Sequence, residues 1–322
     1  MPVGGTKGDI QMGFYAMGSH DIVQGTNCPI QDEGNNIIAQ ACYQIAKEFD
    51  IEPYDEHTGK GVLRHIIGRI GQSGWMIILV TATEQLPYKE KWVEKLTERI
   101  PQVETIVHNV NGKRTNVILG PKNNILYGDG TITDHIKDLQ FTLSPHSFFQ
   151  VNPEQTTVLY DQALEYAGLK GDETVIDAYC GTGTISLFLA HKAKHVIGIE
   201  IVEPAIINAR ENARNNGYDN TEFIVADAAV EMPKLYNAGV RPDVIVFDPI
   251  RAGCKEEVLT SAASMEPKRI VYVSCNPATM ARDIEILTHY GYELQEVQPV
   301  DMFPMTAHVE AVALLTRNNV TQ

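Results

Sequence analysis

From about residue 141 onward, the chain alternates short, almost unbroken apolar runs with stretches of helical periodicity. The apolar runs fall at 174–178, 195–200, 221–226, 243–248 and 269–274. A strand that is apolar at successive positions must be covered on both faces, which is the condition of a parallel sheet between helices. Helical stretches separate the runs, for example 203–216 and 277–289. The end breaks the rule. Segments 292–300 and 308–316 follow one another without a helix, so they are predicted to pair as an antiparallel hairpin at one edge. The pattern implies an α/β domain over 141–322, with a seven-stranded sheet ending in that hairpin.

Residues 1–140 have a different texture, rich in Gly, Asn, His and Thr. A helix is predicted at 35–49, where Ile37, Ile38, Cys42, Ile45 and Phe49 recur at helical spacing. Strands are predicted at 61–71, 75–82, 104–109 and 116–119, with a helix at 88–100. This half reads as a separate α+β domain. Asn111-Gly112, with apolar alternation on both sides, predicts a tight hairpin turn.

Composition narrows the class. No apolar run is long enough to span a bilayer. The first residues have neither a signal core nor an Arg-rich amphipathic pattern, so a cytoplasmic protein is expected. Five cysteines, an odd count at irregular spacing with no CxxC pair, argue against a disulfide framework, a zinc site or a metal cluster. The net charge, 26 − 41 = −15, opposes a broad phosphate-binding face. A nucleic-acid partner would need local basic patches, or binding apparatus outside this chain.

Val175-Ile176-Asp177-Ala178-Tyr179-Cys180-Gly181-Thr182-Gly183-Thr184 reads as a strand entering a Gly-rich turn and then a helix. Alone, such a turn is as often structural as functional. Glu200, ending the next strand about twenty residues on, adds a carboxylate suited to ribose hydroxyls. A dinucleotide site would carry a third glycine, which is absent here. S-adenosylmethionine has a ribose and no pyrophosphate, so it suits the set better. Asp227 and Asp248 end the third and fourth strands, where a cofactor contact and a helix cap compete as readings.

Three further segments carry a family resemblance. They are Phe247-Asp248-Pro249-Ile250-Arg251-Ala252-Gly253-Cys254, Val273-Ser274-Cys275-Asn276-Pro277-Ala278-Thr279, and Asp301-Met302-Phe303-Pro304-Met305-Thr306-Ala307-His308-Val309-Glu310. With Ser147-Phe148-Phe149-Gln150-Val151-Asn152 and, upstream, Gly13-Phe14-Tyr15 and Ser19-His20-Asp21-Ile22-Val23, the chain resembles the RNA uracil-5 methyltransferases along nearly its full length. The resemblance implies a class I, Rossmann-like methyltransferase domain that makes 5-methyluridine in 23S ribosomal or transfer RNA. It implies Cys275 as nucleophile and Glu310 as base. It also implies that Gln150, Tyr179, Thr184, Glu200, Asp227 and Asp248 line the S-adenosylmethionine pocket, with Thr184 standing where some relatives have Asn.

The residue types match the chemistry. Carbon 5 of uracil is a weak nucleophile until a thiolate adds to carbon 6, and a base must later remove the proton from carbon 5. Cys275, at a strand end just before a helix, is where backbone N–H groups are expected to favour a thiolate. Arg251 is read either as a loop anchor or as a phosphate contact. Cys180 and Cys254 are read as packing residues, and His20 and His308 are left out of the chemistry.

The chain departs from the family pattern in places. Ile250 stands where the family has a second Pro, and Met305 where many relatives have a polar residue, which argues against a substrate contact there. The family's small RNA-binding β-barrel and its iron–sulfur cysteines are not seen, although Cys28 before Pro29 resembles the last cluster ligand. A chain lacking its first domain is one expectation this raises. The competing readings are an RNA cytosine-5 methyltransferase, which would carry a second cysteine motif, and a non-catalytic RNA-binding remnant.

Overall fold

The computed structural model describes residues 1–318 and divides the chain into two compact units. One holds 1–135 and 142–146, the other 136–141 and everything from 147 on.

The first unit opens with strands β1 (Val3–Thr6), β2 (Asp9–Tyr15) and β3 (Ile22–Gln24), an antiparallel set that the sequence reading left unassigned. Helix α1 (Glu33–Glu48) begins two residues earlier than predicted, because the Asp32 carboxylate accepts from Gly34 N and caps it. Strands β4 (Leu63–Ile70), β5 (Trp75–Thr81), β6 (Val103–Val110) and β7 (Lys122–Tyr127) make a four-stranded sheet, with helix α2 (Lys89–Arg99) between β5 and β6. The β5–β6 pair is parallel, the other two antiparallel. Ile38, Cys42 and Ile45 of α1 and Trp92 and Leu96 of α2 are buried in one core with Ile66, Ile77 and Ile106 of the sheet.

The strand predicted at 116–119 does not form, and Asn111-Gly112 is not a two-residue hairpin turn. Side chains take over the backbone groups a ladder would use. Asn111 Nδ2 donates to Val117 O and Ile118 O, Asn109 Oδ1 accepts from Gly120 N, and buried Arg64 donates to Asn111 O and Lys113 O. Pairing with β6 resumes only at Lys122. A further hairpin, β8 (Ile132–Ile136) and β9 (Leu139–Leu143), was also unassigned, and its residues divide between the two units.

The second unit matches the α/β prediction closely. Its elements are α3 (Pro153–Ala167), β10 (Thr174–Asp177), α4 (Thr184–Ala190), β11 (His195–Glu200), α5 (Glu203–Asn215), β12 (Thr221–Val225), α6 (Ala228–Asn237), β13 (Val244–Phe247), α7 (Glu256–Ser264), β14 (Arg269–Ser274), α8 (Pro277–His289), β15 (Tyr292–Val300) and β16 (Glu310–Arg317). The seven strands lie in the order β12-β11-β10-β13-β14-β16-β15. The first five are parallel, and β16 runs antiparallel between β14 and β15. Val175, Ile176, Ile245, Val246, Ile270 and Val271 are fully buried, as two covered faces require.

This order has a physical consequence. The chain winds from β10 outward to β12, then returns to the other side of β10 to lay down β13 and β14. Loops leaving β10 and β13 at their carboxyl ends therefore diverge, and ligands of open α/β sheets bind in such a crevice. Because β16 is antiparallel to β14, its first residue lies at that same end of the sheet.

Candidate active site

The Gly-rich turn follows β10 directly. Gly181 and Gly183 have φ of 53° and 82°, a left-handed conformation that side chains rarely adopt. A Cβ on Gly183 would press within 3.1 Å of Ala209 Cβ, whereas one on Gly181 would meet no atom within 4 Å. The turn thus packs tightly on one side and faces open space on the other. Asp177, ending β10, is fully buried: Oδ2 accepts from Ser186 Oγ at 2.6 Å, and the backbone N–H groups of Tyr179 and Ser186 also bond its carboxylate. Burial raises its carboxyl to about 6.

Of the predicted cofactor residues, Tyr179 and Thr184 flank this turn in the chain. Glu200 ends β11, and one carboxylate oxygen accepts from Val202 N at 2.9 Å. Thr184 starts α4, its hydroxyl 3.2 Å from that of buried Tyr160. The Tyr179 hydroxyl hydrogen-bonds the Cys254 thiol, so the side chain packs inward. Gln150 is buried ahead of α3. Asp227 has more than one task already. It caps α6 through Ala229 N and pairs with Lys255 at 2.7 Å, and the Lys255 hydrogen bond, more than the cap, holds its carboxyl below the usual range. The glycine turn and the strand-end carboxylates suit a ligand with ribose hydroxyls and a compact polar tail.

The second half of the site lies two strands away. The register of β14 against β16 pairs Ser274 with Ala311, so Cys275 and Glu310 stand one step beyond that pair. Cys275 is partly buried and its thiol is free. Glu310 is only 3% exposed, and burial raises its carboxyl, with Arg251 opposing. Asp248, just past β13, is raised well above the usual carboxylate range, by burial first and by Glu310 and Asp177 in addition. Asp248 is thus electrostatically linked to both ends of the site.

The thiol does not behave as its helix-end position suggests. Burial pushes it above the ordinary thiol value, Glu310 and Asp248 add to this, and Arg251, which hydrogen-bonds it, opposes. The local amides do not offset this. Asn276 N donates to Ser274 Oγ at 3.0 Å, and Asn276 Oδ1 accepts from Ala278 N at 3.2 Å as the cap of α8. Those N–H groups are spent within the chain, so the guanidinium carries the stabilising charge.

Arg251 is held for this. Its carbonyl accepts from Asn276 Nδ2 and Thr279 Oγ1, and its Nη2 donates to His308 Nδ1 at 3.0 Å. The loop it sits on is pinned by buried Asp283, which accepts from Cys254 N at 2.7 Å and from Tyr272 OH at 2.5 Å.

The sequence profile of the tRNA (uracil-5-)-methyltransferase family matches residues 78–318. The chain belongs to that family. An uncharacterised RNA methyltransferase of Halalkalibacterium halodurans is 52% identical over 99% of this chain and 70% of its own length. A second, of Oceanobacillus iheyensis, is 53% identical over 98% and 70%. Among solved structures, the tRNA (uracil-54, C5)-methyltransferase of Pyrococcus abyssi, in complex with S-adenosyl-L-homocysteine, matches with a TM-score of 0.79. It is 29% identical, over 98% of this chain and 75% of its own.

In this uracil-5 methyltransferase, two residues that sequence reasoning passed over join the site. Asp177 had a signal, an acidic residue ending the strand before the Gly-rich turn. Tyr160 had none, since its α3 position is an ordinary buried one. Only the tertiary structure brings it near Asp248, Asp177 and Glu310, which raise its hydroxyl further after burial has done so. Cys180 and Cys254 are buried with raised thiols, as packing residues should be. Among the described residues, no helix is long and apolar enough to cross a membrane.

Proposed function

We propose that this chain methylates carbon 5 of a uridine in 23S ribosomal RNA, through a covalent bond between Cys275 and carbon 6. S-adenosylmethionine, the methyl donor, supplies an electrophilic methyl group when bound. Glu200 would hold its ribose hydroxyls, Asp227 its adenine, and Gln150, Tyr179, Thr184 and Asp248 the remaining wall. The open space beyond Gly181 and the Glu200 carboxylate at the end of the neighbouring strand fit such a ligand.

The residues divide the reaction. Arg251 steadies the Cys275 thiolate, whose sulfur adds to carbon 6, and the electrons of the 5,6 double bond move onto the carbonyl as an enolate. Carbon 5 then takes the methyl group. Glu310 removes the proton from carbon 5, the double bond re-forms, and the carbon–sulfur bond breaks. A carboxyl raised by burial is better matched to this task near neutrality than an ordinary one. The observation that carries the reading is the placement of Cys275 beside Glu310, across one strand pair. The five free cysteines suit a reducing cytoplasm.

Transfer RNA is the second reading, favoured by the name of the matching family and of the Pyrococcus abyssi enzyme. The test is mass spectrometry of the protein incubated with S-adenosylmethionine and 5-fluorouridine-substituted transcripts of 23S or transfer RNA. A Cys275-linked, methylated nucleotide is expected from the 23S transcript. An adduct from transfer RNA alone replaces the substrate, and no adduct from either rejects the uracil mechanism.

A further inference from the structure

The segment 301–309, between β15 and β16, is a strap that leads directly into Glu310. Its base is anchored: Met302 is buried, its carbonyl accepts from Asn152 Nδ2 at 3.3 Å, and Thr156 Oγ1 lies 3.9 Å from its sulfur. Its tip is shaped by its own bonds. Phe303 O accepts from Thr306 N and Thr306 Oγ1, and Thr306 Oγ1 in turn accepts from His308 N. The Phe303 and His308 rings meet edge-on at 6.4 Å, and His308 accepts from Arg251, the residue that hydrogen-bonds Cys275. At the apex sits Met305.

The sequence pattern argues against a polar substrate contact at Met305, and two features of its placement point to an apolar one. It is 93% exposed, and its φ is +66°, a left-handed value uncommon for residues other than Gly and Asn. Other apolar side chains stand out at the same end of the sheet: Ile250 after β13 at 77%, Phe148 and Val151 ahead of α3 at 71% and 75%. The Asn152–Met302 and Arg251–His308 bonds tie the two loops that bear them to the strap. Single exposed apolar residues are ordinary, but several on linked loops around one site indicate a surface meant to be covered.

We propose that Met305 is an apolar wedge, which enters the RNA stack and fills the space vacated when the target uridine turns out toward Cys275. This rests on the uracil-5 methyltransferase reading above. A base within a helix or stacked loop exposes neither carbon 6 to a thiolate nor carbon 5 to a methyl donor, so it must leave its stack. Leaving it costs stacking, and an unbranched apolar side chain inserted between base steps recovers part of that cost. Methionine is flexible and polarisable, so it accommodates whichever neighbours flank the gap. The strap puts the wedge five residues before Glu310, so extrusion and proton removal belong to one continuous segment.

The backbone allows a clean test. Gly and Asn both accept φ near +66°, so Met305→Gly and Met305→Asn keep the strap's shape while removing the apolar tip. Met305→Leu keeps an apolar tip. Unmodified 23S ribosomal and transfer RNA transcripts serve as probes. 5-Methyluridine is mapped by mass spectrometry, and kcat/KM is then measured on the folded transcript and on a short unstructured oligonucleotide carrying the mapped site. For Met305→Gly and Met305→Asn, the folded-to-unstructured ratio of kcat/KM should fall about tenfold, while Met305→Leu stays within about threefold of the parent. Equal losses on both RNAs, or no loss on the folded one, overturn the wedge and leave the proposed function standing. Absence of 5-methyluridine with the parent enzyme on every RNA overturns both together.

Discussion

Cys275 and Glu310 stand next to each other on antiparallel neighbours, one residue beyond the Ser274–Ala311 pair that ends the β14–β16 ladder. Two groups 35 positions apart in the chain are fixed by strand register at a separation that side-chain flexibility alone would not hold. The same pairing raises the thiol through the charge on Glu310.

Their roles separate by mutation. Cys275→Ala is expected to abolish both methyl transfer and the covalent RNA adduct, because no enolate forms without the thiolate. Glu310→Gln is expected to add and methylate but not release. It should accumulate a methylated RNA–protein adduct, seen as a heat-stable shifted band on a denaturing gel. A freely turning-over Glu310→Gln enzyme removes the base from Glu310.

Burial and Arg251 act in opposite directions on the pH dependence of Cys275. The Cys275 thiol titrates above its ordinary value of 9.0, so the reactive thiolate fraction grows as pH rises through and past that value. Alkylation of Cys275 by iodoacetamide, followed by peptide mass spectrometry, should therefore accelerate with pH and show no plateau by 9. Arg251→Met loses a hydrogen bond to charge, worth about 1.5–3 kcal/mol. It should slow alkylation at pH 7.5 by roughly ten- to a hundredfold and move the curve further alkaline. An unmoved curve shows that Arg251 does not stabilise the thiolate.

Glu200 and Asp227, both proposed to hold the cofactor, differ in their other bonds. Glu200→Ala should weaken S-adenosylhomocysteine binding by roughly 1–3 kcal/mol in calorimetry, since the ribose loses a charged acceptor. Asp227→Asn keeps a good cap on α6, and its ion pair is partly exposed, so the melting temperature should hardly move while affinity falls. A drop in melting temperature with unchanged affinity assigns Asp227 to structure alone.

Asp177 makes a prediction about stability. Its carboxyl titrates at about 6 in the fold, against an ordinary 3.8. Between those values the folded chain holds the extra proton, so stability falls as pH rises from about 4 to 6, and the loss is complete above 6. Asp177→Asn removes an ionic form that costs up to about 3 kcal/mol. In the absence of cofactor it should raise the melting temperature at pH 7.5 by several degrees, with the gain shrinking toward pH 4. A gain of equal size at both pH values places the effect elsewhere.

The sequence by itself determined most of the second unit. Runs of buried aliphatics fixed five parallel strands, and the missing helix before residue 310 fixed the terminal hairpin, because both are local consequences of what each face must cover. The Gly-rich turn and its trailing acids were legible for the same reason: they need particular residue types at short spacing. In the first unit, β1 and β3 are three or four residues long and too short to show a period, β2 alternates Ile10, Met12 and Phe14 in only seven residues broken by Gly13, and the 111–121 loop defeated the turn prediction because side chains took the backbone bonds. The tertiary structure alone decided the environment of the chemistry. Neighbouring amides are used up by Asn276 and Ser274, the charge beside the thiol comes from Arg251, and Tyr160 is carried toward three carboxyls by helix packing. Burial and charge are sums over groups distant in the chain, so no spacing in the sequence encodes them.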